Sequence, residues 1–266
     1  MKQSEYSKII KLAKRSLEEY QNWGEDEIYK EPSVKSSAEK KSPESDKEMK
    51  FSVKKAGPFE ELGKLKKETD KCKKCPLGQG RLNSVFGVGA ADADLMFVGE
   101  GPGFEEDHKG EPFIGKAGQF LTNLIELMGY KREDVYIANI VKCHPMKDPS
   151  NPELRGNDRP PTEEEVSECS KYLEEQISII KPKAIVTLGR PSASYFFGES
   201  VTMGDVRGKF IEYKGIKLMP TYHPSYLIRN GCVFGKKDQS PQVTKMKKEV
   251  WSDLKQVIAY LKTGGI

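Results

Sequence analysis

Apolar residues along the chain recur at two spacings, and the switches between them mark out the elements. Leu95-Met96-Phe97-Val98 is an uninterrupted apolar run stopped by Gly99, the pattern of a short strand buried on both faces. Phe120, Leu121, Leu124, Ile125, Leu127 and Met128 then fall at helical spacing up to Gly129. Val135–Val141 reads as a second strand, and Thr162-Glu-Glu-Glu165 as a capping box opening a helix that runs to about Ile180. Ala184–Gly189 reads as a third strand, Pro191 starts a short helix, Ile216–Met219 leads into a fourth strand, and Lys245–Leu261 is a closing amphipathic helix. Strands alternating with helices predict a three-layer α/β/α fold with a central, mainly parallel four-stranded sheet. Such sheets bind ligands beyond the carboxyl ends of their strands. There the chain carries Gly99-Glu-Gly-Pro-Gly103, Cys143-His-Pro145 and His223-Pro-Ser225.

The first part of the chain has a different texture. Tyr6, Ile9, Ile10, Ala13, Leu17 and Tyr20 predict an amphipathic helix over roughly residues 4–22. From Gly24 to Gly57 the residues are mostly Pro, Ser, Lys and Glu, too polar to offset the entropy of ordering, and read as a solvated linker. The organisation is therefore residues 1–57, a helix and charged linker forming a helical and disordered extension, followed by residues 58–266, a globular domain. The N-terminal helix is a candidate for docking on that domain or on a protein partner.

Charge changes little: 44 Lys+Arg against 40 Asp+Glu give +4, so a claim for nucleic acid has to come from a site. No run approaches the length of a membrane span, and residues 1–15 lack the apolar core of a secretory signal. The expectation is an intracellular, cytoplasmic protein without a membrane partner. Five cysteines, an odd number, do not suit a disulfide framework, and Cys72-Lys-Lys-Cys75 alone could be an incidental thiol pair.

Two glycine motifs fail on inspection. Gly99-Glu-Gly101 follows a strand, but Phe104 stands where a dinucleotide fingerprint needs its third glycine. Gly110-Glu-Pro-Phe-Ile-Gly115-Lys116-Ala117 lacks the hydroxyl that would hold magnesium in a phosphate-binding loop, and no buried strand precedes it. Both still allow backbone N–H groups to approach a ligand closely.

Taken in order, Gly99-Glu-Gly-Pro-Gly-Phe-Glu-Glu-Asp107, Gly110-Glu-Pro-Phe-Ile-Gly-Lys-Ala-Gly118, Asn139-Ile-Val-Lys-Cys143 and His223-Pro-Ser225 resemble the family 4 uracil-DNA glycosylases, the iron–sulfur type related to the N-terminal part of a phage DNA polymerase. The resemblance covers roughly residues 58–262. It implies that Cys72, Cys75, Cys143 and Cys169 ligate a 4Fe–4S cluster, leaving Cys232 outside. Four thiolates suit such a cluster, and they suit zinc as well; the spacing does not separate the two metals. It also implies a uracil-DNA glycosylase, an N-glycosyl hydrolase that starts base-excision repair on single- or double-stranded DNA, acts as a monomer and leaves an abasic site.

Cleaving the glycosidic bond builds negative charge on the departing uracil and positive charge on the sugar, so the site needs a donor near uracil O2, an edge-reading polar group and a stacking surface. His223, after an apolar strand, is the expected donor; the alternative is a core histidine. Asn139 interrupts a β-branched strand, and its amide matches uracil O4 and N3–H; the alternative is a local cap. Phe113 resembles the family's stacking ring, and Gly101 stands with Asn139 and Phe113 around the base. Glu100 and Glu106 match acidic positions of the family and are both candidates for catalysis, Glu100 favoured because it directly follows the strand; Glu105 and Asp107 read as solvated charges. Gly103, Ser225, Leu227 and Arg229 are expected on DNA, with the Gly101–Gly103 backbone and Ser225 at phosphates, Leu227 as a wedge into the vacated stack and Arg229 at the backbone.

The segment from Met146 to Arg159 is longer than usual for the family, and His144 replaces a more typical arginine. A related branch that traps uracil-DNA covalently carries a histidine in an inserted loop, whereas Arg155-Gly-Asn-Asp-Arg159 has none, which favours hydrolysis. Two rivals remain: a non-hydrolytic module that binds uracil or abasic DNA, and a metal-bearing scaffold for protein partners.

Overall fold

The computed structural model describes residues 57–198, 201–236 and 240–264. The amphipathic helix over residues 4–22 and the linker to residue 56 lie outside the described residues. The first helix, α1 (Pro58–Lys71), has proline in its first turn, where a missing N–H breaks no helical bond. It is followed by the short α2 (Leu77–Gly80).

Six strands form one sheet: β1 (Val88–Gly89), β2 (Leu95–Gly99), β3 (Tyr136–Asn139), β4 (Ala184–Leu188), β5 (Ile211–Tyr213) and β6 (Ile216–Thr221), in the spatial order β1-β3-β2-β4-β6-β5. The four inner strands are parallel and correspond to the four expected from sequence. The expected count of four is corrected to six by two antiparallel edge strands. Both are too short and too exposed to leave an apolar signature, at two and three residues with no buried position. The β5–β6 connection is a two-residue turn in which Lys214 and Gly215 both take positive φ, the geometry of a tight hairpin.

Between β2 and β3 lie α3 (Phe104–Lys109) and α4 (Lys116–Leu127). The helix α5 (Glu163–Ile180) has the expected capping box, with Thr162 and Glu165 bonding each other's backbone N–H. Then come α6 (Gly189–Phe197), α7 (Met203–Val206), α8 (Pro224–Arg229) and α9 (Pro241–Lys262). α9 starts earlier than its apolar period suggests, because Ser240 caps it and Pro241 occupies its first position.

Alternate residues of the inner strands feed two cores. Leu95, Phe97, Ile137 and Val186 pack with α4 and α9, whereas Met96, Val98, Ala138 and Ile185 pack with α1 and α5. The inserted segment is pinned: Met146 bridges Asp158, and Arg159 forms a bidentate pair with buried Glu165. None of the described helices is long and apolar enough to cross a membrane.

Candidate active site

The carboxyl ends of the inner strands meet around one cleft. Asn139 is the last residue of β3 and lies opposite Gly99, the last of β2. A Cβ on Gly99 would collide with Asn139 Oδ1 and with the Phe113 ring, so glycine here lets the amide and the ring share one space. Asn139 is 1% exposed, and its Oδ1 has no hydrogen-bond partner in the protein. A buried carbonyl oxygen without a partner is unfavourable on its own and is the expected state of a ligand-recognising group before the ligand arrives.

Phe113 is buried and held at φ 51°, a backbone region that a bulky residue adopts only when its surroundings dictate it. Those surroundings are specific. Glu106 accepts the N–H groups of Ile114 and Gly115 at 3.0 Å each and that of Gly103 at 3.2 Å. Arg132 Nη2 donates to the Pro112 carbonyl at 2.6 Å. Gly118 in α4 lies against the Phe113 carbonyl so tightly that no side chain fits there.

His223 follows β6 and is the N-cap of α8, its ring centroid 5.8 Å from that of Phe113. It packs on Gly189, where a Cβ would come within 2.8 Å of the His223 Cβ. Its Nδ1 receives the Ser225 backbone N–H at 3.1 Å and faces the Ser225 hydroxyl at 2.7 Å. Because a backbone N–H only donates, Nδ1 is an acceptor, and the ring proton belongs on Nε2. The Ser225 hydroxyl in turn accepts from Arg229 Nη1 at 3.2 Å. Burial, reinforced by the Arg229 charge, pulls the imidazole down to about 4, so it is neutral at physiological pH. Glu100, one residue beyond β2, has its carboxyl raised above the usual range by burial. Gly101 makes a close approach to Val141, 2.8 Å from where its Cβ would be to Cγ2.

A second cluster lies behind the sheet. Cys72, Cys75, Cys143 and Cys169 line one pocket between α1, α5 and the end of β3, together with Arg81 and Lys142. All four are free thiols, and no three His, Cys, Asp or Glu side chains among the described residues close in on a single ion. Arg81 Nη1 donates to Cys143 Sγ at 3.0 Å, and the Lys142 backbone N–H to Cys169 Sγ at 3.2 Å. Burial pushes the Cys143 thiol up to about 12, with Arg81 acting in the opposite sense. Cys232 lies apart, in the other core.

Residues 86–255 match the uracil DNA glycosylase superfamily. The chain is 47% identical over 174 residues to the type-4 uracil-DNA glycosylase of Thermotoga maritima, covering 64% of this chain and 85% of that protein. It is 40% identical over 210 residues to the type-4 enzyme of Saccharolobus solfataricus, covering 76% and 88%. The chain belongs to the type-4 uracil-DNA glycosylases. A type-5 uracil-DNA glycosylase of Pyrobaculum aerophilum is more distant, 30% identical over 156 residues, covering 52% of this chain and 64% of that protein.

Within this type-4 chain the structure brings Asn139, Phe113, Glu100, Gly101 and His223 to the same edge, with Ser225 and Arg229 behind the imidazole. Four expectations are corrected. Glu106 is not poised for chemistry, since three backbone amides occupy its carboxylate and make it the brace of the Phe113 loop. Gly103 spends its N–H on that same carboxylate and offers none to a phosphate. Leu227 is 0% exposed and packed in the core, so it is not placed as a wedge; the exposed neighbour is Tyr226. Asp107 is no solvated charge: it is fully buried, accepts the N–H groups of Leu82 and Asn83, and faces His144. His144 itself is tied to the inserted loop through Asp158 at 2.8 Å.

The sequence reading missed Arg81, Lys142 and Gln176. Lys142 Nζ donates to the Asn139 carbonyl oxygen and to Gln176 Oε1, both at 2.6 Å, inside the sheet–α5 core. A signal existed, since Gln176 stands between Leu173, Ile177 and Ile180 on the apolar face of its helix.

Proposed function

We propose that this protein hydrolyses the N-glycosidic bond of deoxyuridine in DNA, releasing uracil and leaving an abasic site for base-excision repair. The observation that carries the reading is the unpartnered, buried Asn139 amide beside Phe113 and His223. In this reading Asn139 Oδ1 accepts uracil N3–H and its amide N–H donates to O4; cytosine presents the opposite pair and is refused, because a buried donor would then face a donor. Gly99, Lys142 and the sheet hold the amide in that sense. Phe113 offers its ring to a flipped base, a contact worth about 1–3 kcal/mol. His223 directs its Nε2–H at O2, where negative charge develops as the bond breaks; a neutral donor fixed in place stabilises that charge without reorganising. Glu100 holds the attacking water or the cationic sugar.

Cys72, Cys75, Cys143 and Cys169 are read as ligands of a 4Fe–4S cluster. Four thiols around one pocket that do not converge on one point suit a polynuclear centre better than a single zinc, which draws each sulfur to about 2.3 Å. Such a group supplies a cross-link between the α1–α2 turn, the end of β3 and α5; hydrolysis transfers no electrons. DNA is the partner, with Ser225 and Arg229 on its strand. Base-excision repair places the protein inside the cell with the genome.

Incubation with a single-uracil oligonucleotide followed by alkali tests the reading. Cleavage at the uracil position by wild type, lost in His223→Ala, is expected. Intact DNA at enzyme excess, with tight salt-sensitive retention, would select a non-hydrolytic uracil-DNA binder instead.

A further inference from the structure

Lys142 stands between the two clusters. It is fully buried, three residues after Asn139 and one before Cys143. Its Nζ reaches only neutral acceptors, Asn139 O and Gln176 Oε1, and the charged groups bearing on it are the Cys169 and Cys143 sulfurs. A buried ammonium without an anion is strongly unfavourable. A doubly charged metal core held by four thiolates keeps a net charge of roughly −2. Arg81 approaches that charge from the α1–α2 side, and Lys142 approaches it from the sheet side.

The hydrogen bonds run the other way, towards the base pocket. Lys142 holds the carbonyl of the residue whose amide reads the base, and Gln176 is itself fixed by donating to Phe86 O and the Tyr136 hydroxyl. Gln176 lies seven residues after Cys169 on α5, two turns along the same face. A displacement of the sulfurs is therefore transmitted to the strand end through one side chain.

We propose that Lys142 is a positioning residue coupling the cysteine centre to the Asn139 pocket: its charge offsets the metal–thiolate centre while its hydrogen bonds fix the strand end that reads uracil. This rests on the function proposed above and deepens it, because metal retention and base selection then share one residue.

The test compares metal-loaded wild type with Lys142→Met, which has neither charge nor donor, and Lys142→Gln, which keeps a donor without charge. Two quantities are measured: the rate of metal release to a chelator, and the Kd for an oligonucleotide carrying non-cleavable 2′-fluoro-deoxyuridine. Both variants should release metal several-fold faster. Lys142→Met should bind the oligonucleotide about tenfold more weakly, whereas Lys142→Gln stays within about threefold of wild type. In an Asn139→Ala background, Lys142→Met should add no further loss, the signature of action through Asn139. Wild-type release rates in both variants, or an undiminished loss in the Asn139→Ala background, would overturn the proposal. Wild type that held metal but ignored the uracil oligonucleotide would instead overturn the reading beneath it.

Discussion

At the scale of single residues, the site depends on two polar groups that the fold leaves unfinished. Asn139 Oδ1 is buried with nothing to bond, so removing it subtracts little from stability and much from recognition. Asn139→Ala should lower kcat/KM on uracil-DNA by about two to four orders of magnitude, with a Tm within a few degrees of wild type. Steady-state kinetics and a melting curve check both. His223 gives a pH dependence with a definite sign. Its folded value of about 4 lies below the roughly 6.5 of an unfolded histidine. Between these values the unfolded chain binds the extra proton, so this contribution to stability is complete above about pH 6.5 and is lost as pH falls towards 4. Melting curves from pH 7.5 to 4.5 should therefore drop more steeply for wild type than for His223→Gln.

At the scale of elements, the Phe113 loop is the strained part and α3 and α4 are its clamps. Gly118→Ala places a methyl group into the Phe113 carbonyl. It should lower Tm and reduce excision at least tenfold together, because the ring can no longer occupy its place. Glu106→Gln keeps the shape but loses the charge that strengthens three backbone hydrogen bonds. It should raise KM more than it lowers kcat, whereas a catalytic carboxylate would show the reverse, and kinetics on the single-uracil substrate separates them. The helix α8 shows why neighbours are hard to assign from sequence. Consecutive helical residues point about 100° apart, so whether Tyr226 or Leu227 faces the core is set by how α8 docks against α4, not by composition.

At the scale of the whole molecule, the four cysteines join parts of the chain that the sheet alone leaves separate: the turn after α1, the end of β3 and the first half of α5. Cys169→Ser should lower Tm by roughly 5–15 °C and reduce bound metal, on the scale of losing a covalent cross-link. Cys232→Ser, in the opposite core, should leave the metal content unchanged; elemental analysis and absorbance of the two proteins decide it.

The four inner strands, the capped α5 and the motifs at the strand ends are local properties: apolar runs, a capping box and strand-terminal Asn139 and His223 carry their own signal in a few adjacent residues. Gly99 and Gly118 are visible as letters, but their necessity arises only from the ring and carbonyl that approach them from elsewhere in the chain. Edge strands β1 and β5 are defined by what they pair with. The roles of Glu106, Asp107, Leu227, Arg81, Lys142 and Gln176 depended on partners distant in sequence. A charged or polar side chain has the same appearance whether it faces water or a buried amide, and only the packed structure decides which of those it meets.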